Sequence, residues 1–294
     1  MDDRWRDAVL LTERRRRRRV ARLLKQMDRL EARNAKAVPG DRGRRRATVA
    51  VAALVVAVGG LWVASILTED AVSVASSLPD RPADAMDGPI GAADGAGAQS
   101  DAYSFIDTQD GSSDPVTYDP CVPIHVVVDT RTMIDGGMRM LDEALGEIQD
   151  ATGLAFVVDG VTDDPPAEEV VRDQDGGWSP VTVSWSDPKR SADLKGSVAG
   201  YAGSTPLRHD GHWWFVTGSV VLDGPQLADI VDGRRGWQSA RSVVMHELGH
   251  LVGLDHVDEP GQLMQPEGDD SLTAWGDGDL TGLAALGRGR CISY

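Results

Sequence analysis

The 294-residue chain carries a net charge of −16 and 41% hydrophobic residues, enough for one sizeable core beside sequence that joins none. The charge is uneven: residues 1–46 hold 17 Lys/Arg against 7 Asp/Glu, so all that follows is strongly acidic. An acidic body excludes nucleic acid as its expected partner, and the Arg14–Arg19 run reads as a solvated basic helix rather than a nucleic-acid site.

Ala47–Leu67 is 21 residues without a charge. As a helix it would be roughly 30 Å long, the thickness of a bilayer core. Arg44, Arg45 and Arg46 precede it and Glu69 and Asp70 follow it, the bias that keeps an N-terminus cytoplasmic. A cleaved signal peptide would have small residues at Ser73 and Ala75, but its basic region would be far longer than usual. The expectation is an uncleaved single-pass signal anchor in the cell membrane, with residues 1–46 cytoplasmic and the remainder extracellular. The two cysteines, Cys121 and Cys291, then share an oxidising compartment and are expected to pair.

Residues 68–119 are rich in Ala, Asp, Gly, Ser and Pro and show no apolar periodicity. They predict a disordered acidic linker, either a stalk or a pro-segment over the active site. The folded domain is expected over 120–294. Ile124, Val126 and Val128 alternate as in a strand. Met138, Leu141, Leu145 and Ile148 recur at helical spacing, and Gly153 is placed to end that helix in the left-handed region. Strands are predicted at Leu154–Val158, Val181–Trp185 and Trp213–Leu222, with Gly200–Ser204 as an edge segment. A second helix should cover Ser239–Val252, and a last one begins near Asp279 and stops at Gly287.

Chemistry concentrates in His246-Glu247-Leu248-Gly249-His250-Leu251-Val252-Gly253-Leu254-Asp255-His256. Residues four apart share a helix face, so His246 and His250 can present two imidazoles to one ion. Glu247 lies one step round, placed to take a proton from water at the metal's open position. Gly253 can take positive φ, end the helix and turn the chain so that His256 supplies a third nitrogen. Three neutral nitrogens and an exchangeable position describe a catalytic Zn2+ ion; a structural zinc has a fourth side chain.

This stretch, with Met264 in Gln262-Leu263-Met264-Gln265-Pro266, resembles the metzincins, and most of all their matrixin branch. The resemblance spans about Pro120 to Cys291 and includes Asp279-Leu280-Thr281-Gly282-Leu283, which is similar to the matrixins' closing helix. It implies an α/β zincin-like fold: a twisted mixed sheet, a supporting helix, a metal-binding helix, a methionine turn at Met264 and a C-terminal helix. It also implies a zinc metallopeptidase acting on peptide or protein substrates, with Gly200–Ser204 as the strand that aligns them. Gln265 stands where many relatives have tyrosine, and Gly203 where a histidine of a second zinc site would be. One catalytic ion is therefore expected, with His209 and His212 solvated and His125 an outward strand position. Asp119-Pro120-Cys121-Val122-Pro123 does not match the matrixins' inhibitory cysteine segment, which favours a structural role for Cys121. A zinc hydrolase of a non-protein substrate and a tethered zinc-binding protein without turnover are the alternatives. Glu247 argues against the second, because a binding module needs no base.

Overall fold

The computed structural model describes residues 78–93, 99–163, 177–233, 236–266 and 271–294. The basic segment and the expected span at Ala47–Leu67 lie outside these. Among the described residues no helix is long and apolar enough to cross a membrane.

Five strands form the main sheet: β2 (Ile124–Asp129), β3 (Phe156–Val161), β4 (Val181–Ser186), β5 (Gly200–His209) and β6 (His212–Asp223). Their spatial order is β3-β2-β4-β6-β5. The first four run parallel, and β5 returns antiparallel to β6 at one edge. A short pair, β1 (Ser104–Phe105) and β7 (Leu254–Asp255), forms a separate antiparallel ribbon. In β2 the apolar alternation buries Ile124, Val126 and Val128. β4 is buried at every position, as a central strand covered on both faces must be.

The helices are α1 (Gly137–Thr152), α2 (Gly224–Val231), α3 (Gly236–Val252) and α4 (Asp277–Leu286). α1 packs against α3 and α4 and turns Met140, Leu141, Ala144, Leu145 and Ile148 inward. Met138 of the predicted stripe is exposed, because the buried face is rotated towards Met140 and Ala144. Gly153 ends α1 at φ 76°, where its N–H donates to Gln149 O. The strand expected from Leu154 begins only at Phe156. Leu154 N–H donates to Thr152 Oγ1, and Phe156 N–H donates to the side-chain oxygen of Gln149, so the helix end captures these residues first. α2 was not foreseen. Asp223 caps it by accepting from Gln226 N–H at 3.0 Å, and Pro225 occupies its first turn.

The expectation of a disordered linker over 68–119 needs correction for its described parts. Residues 78–93 lie along the domain, with Met86 and Ile90 N–H donating to the carbonyls of Cys121 and Pro120. Residues 99–119 include β1, and Val116 and Tyr118 are buried. The composition lacks a core of its own, but this segment needs none: its backbone pairs with the domain and its few apolar residues enter the domain's core. Cys121 and Cys291 are joined in a disulfide, as expected, with Cα atoms 5.5 Å apart. Asp119 fastens the same two segments, accepting from the N–H groups of Cys121 and Ile292.

Candidate metal centre

α3 crosses beneath the sheet, packed against β5, β6, α1 and α2. Met245, Leu248, Leu251 and Val252 anchor its apolar side, which fixes where His246, Glu247 and His250 emerge. Gly253 follows at φ 126°, and its N–H closes the helix on the carbonyls of Gly249 and His250. A Cβ there would lie 2.9 Å from Leu286 Cδ2, so both the turn and the close approach demand glycine. β7 then carries the chain back to His256.

The three imidazoles converge. His256 Nε2 is 3.1 Å from both His246 Nε2 and His250 Nε2. Ligands about 2.0–2.1 Å from a tetrahedral zinc are separated by roughly 3.3 Å, so this spacing fits one ion. Second bonds set the ring orientations: His246 Nδ1 lies 2.7 Å from Leu263 O, and His250 Nδ1 lies 2.8 Å from Leu254 O. A carbonyl only accepts, so both Nδ1 atoms carry the proton and both Nε2 lone pairs point to the centre. Burial holds His246 and His256 at pKa values of about 4, with the neighbouring His256 adding to the shift on His246. Both are therefore neutral at ordinary pH, the state in which imidazole binds metal.

Glu247 is buried beside this trio, and burial alone pushes its carboxyl up to about 8. Its Oε2 has no hydrogen-bond partner among the described residues. An orphaned buried carboxylate oxygen beside three convergent nitrogens is what a metal and its water would satisfy. Glu247 owes its place to Gly200 at the start of β5, where a Cβ would be 2.8 Å from Glu247 Cγ and 3.0 Å from Oε1.

Met264 packs against the metal helix at Gly249 and is 1% exposed. Gly249 makes room for it, since a Cβ there would come within 2.7 Å of the Met264 sulfur. Two residues that sequence reasoning did not single out hold this turn. The buried carboxylate of Asp279 accepts from Leu263 N–H, from Gly276 N–H at 2.9 Å and more loosely from Met264 N–H. Gln262 Oε1 accepts in return from the N–H groups of Gly278 and Asp279. The available signal was an acidic residue at the third position of a helix, the position of a reciprocal cap. A further tie runs from the edge strand: Ser204 donates to Leu251 O at 2.6 Å, and Tyr118 donates to Ser204 Oγ at 2.6 Å.

The remaining histidines are elsewhere. His125 bridges Asp159 and Asp84. His212 packs edge-on against Trp214, and His209 lies 3.4 Å from the Asp210 carboxylate. Asp119, Cys121 and Cys291 also cluster closely enough for a metal, but the disulfide removes their thiolates. Among the described residues the histidine trio is therefore the cluster whose donors are available.

The nitrogen triad on a helix, its adjacent carboxylate and the five-stranded mixed sheet above fit a zincin-like fold. Residues 189–282, from the turn before β5 into α4, match the matrixin family model, so this part of the chain is similar to the matrixin branch of the metzincins. No curated protein matches the chain.

Proposed function

We propose that the domain is a zinc-dependent endopeptidase in which His246, His250 and His256 hold the ion and Glu247 is the general base. The observation that carries this reading is the convergence of three Nε2 atoms beside the unpartnered Glu247 Oε2. When bound, zinc supplies a Lewis acid and lowers the pKa of water. Glu247 takes the proton of the attacking water and delivers it to the departing amide nitrogen. β5, at the edge of the sheet and in contact with Glu247 through Gly200, lays an extended substrate across the site. Glu247→Gln keeps the side chain's size and removes the base. Peptide hydrolysis should fall by a factor of roughly 100 or more while about one zinc per domain is retained. Hydrolysis at the wild-type rate would refute the mechanism.

We further propose that Ala47–Leu67 anchors the protein in the cell membrane with this domain outside. The flanking charges support that orientation, and the disulfide suits an oxidising compartment. Protease added to intact cells should then remove the domain from the membrane; digestion only after lysis would reverse the topology.

A further inference from the structure

We propose that residues 99–118 are a permanent brace of the loop carrying the third histidine, retained in the active protein, and not a segment whose removal switches the enzyme on. This rests on the reading of the histidine trio as a zinc site.

The segment meets the metal loop at its most demanding point. Ser104 pairs with Asp255 and Phe105 with Leu254 across the β1–β7 ribbon, and Ile106 N–H donates to Gly253 O at 2.9 Å. Three consecutive residues of the segment thus grip the three residues that precede His256. Those residues include the left-handed Gly253, and Leu254 O orients His250. The two-residue ribbon is the loop's regular secondary structure, so the position of His256 depends on a partner strand more than a hundred residues earlier in the chain.

The same segment is fastened on either side of the ribbon. Upstream, it threads a groove that two glycines open on α4. A Cβ at Gly278 would come within 2.1 Å of Ala102 O, and one at Gly282 within 3.1 Å of Tyr103 Cβ. Ser100 N–H donates to Thr281 on that helix. Downstream, Gln109 uses its side-chain amide as a strand would, donating to Trp213 O at 2.9 Å and accepting from Trp213 N–H at 3.0 Å. Asp110 accepts from the Trp213 indole, and Thr117 O accepts from Phe215 N–H. A segment meant to leave would not have its polar groups built into β6, β7 and α4 while Val116 and Tyr118 enter the core. These contacts run to the elements that support the site, whereas Glu247 is flanked by Gly200 of the edge strand.

The test uses the full chain. Ile106→Pro deletes the N–H that bonds Gly253 O, and Ile106→Val keeps it. Zinc affinity, measured by competition with a chromophoric chelator, should weaken on the order of tenfold in the proline variant, the usual effect of removing an outer support of a ligand. The visible spectrum of the cobalt-substituted protein should change with it, and the valine variant should match wild type in both. Wild-type affinity and spectrum in Ile106→Pro would overturn the brace. Mass measurement of the zinc-loaded form that hydrolyses peptide decides the matter even if that variant fails to fold: its N-terminus should precede residue 99, and an active form beginning after 118 would overturn the proposal. A wild-type chain that takes up no zinc would instead overturn the metal-site reading beneath it.

Discussion

Replacing Asp279 with alanine tests whether the metal centre is held from the far side of the methionine turn. The carboxylate is fully buried, and burial raises its pKa against three backbone bonds that lower it. Two of those bonds are well formed, to Leu263 and Gly276; the third, to Met264 at 3.4 Å, is too long to count for much. Hydrogen bonds to a charged acceptor are each worth about 1.5–3 kcal/mol, so two give about 3–6 kcal/mol. Removing a buried carboxylate recovers some of its desolvation, which leaves a loss of about 3 kcal/mol. For a domain of this size, the melting temperature should fall by about 6–12 °C. Zinc should weaken as well, because Leu263, whose N–H the variant releases, is the residue whose carbonyl orients His246. Asp279→Asn keeps one acceptor oxygen and should fall between alanine and wild type. Calorimetry with zinc in excess, paired with chelator competition, gives both numbers. An alanine variant melting within about 2 °C of wild type with unchanged zinc affinity would refute the argument.

Two further outcomes follow from contacts around the site and along residues 78–93. Gly200→Ala places a methyl 2.8 Å from Glu247 Cγ, so the base must shift: kcat should drop with zinc content unchanged, and an unaltered kcat would show the carboxylate is not seated by this contact. His125 is pressed towards neutrality by burial, but the carboxylates of Asp159 and Asp84 outweigh this and raise its pKa. The stabilisation they give is complete below about pH 6.5 and disappears as pH rises through the raised value. With these side chains about two-fifths exposed it amounts to less than about 1 kcal/mol. Hydrogen exchange at the Met86 and Ile90 amides, corrected for its intrinsic pH dependence, should show less protection at pH 8.5 than at pH 6, and Asp84→Asn should flatten the difference. Equal protection at both pH values in wild type would refute a stabilising role for the bridge from His125 to Asp84 and Asp159.

What the sequence disclosed and what it hid differ in physical kind. α1 with its Gly153 cap, the apolar alternation of β2 and the histidine spacing on α3 are local patterns, and each is readable within a dozen residues. The centre itself was legible because its three ligands span only eleven residues and need one helix and one glycine turn. The role of residues 99–118 was hidden because β1 has no apolar signature. Its partners at 253–255 are remote, and the binding is by backbone groups that every residue possesses. Asp279 was hidden for a related reason: of its two well-formed bonds, the one from Leu263 N–H comes from a residue that only the fold brings near. α2 was merely overlooked, since the Asp223 cap and Pro225 announce it, whereas the late start of β3 reflects side chains of Thr152 and Gln149 competing for backbone donors, which periodicity does not register.

The bond between Cys121 and Cys291 closes nearly the whole domain into a covalent ring, with the two cysteines 170 residues apart. A peptidase is exposed to its own kind, and surface loops are where such cuts fall. A single cut within the ring opens the loop but frees no fragment, so the two pieces stay in register on the same sheet. A nick would thus leave the histidine triad tethered to the strands that support it.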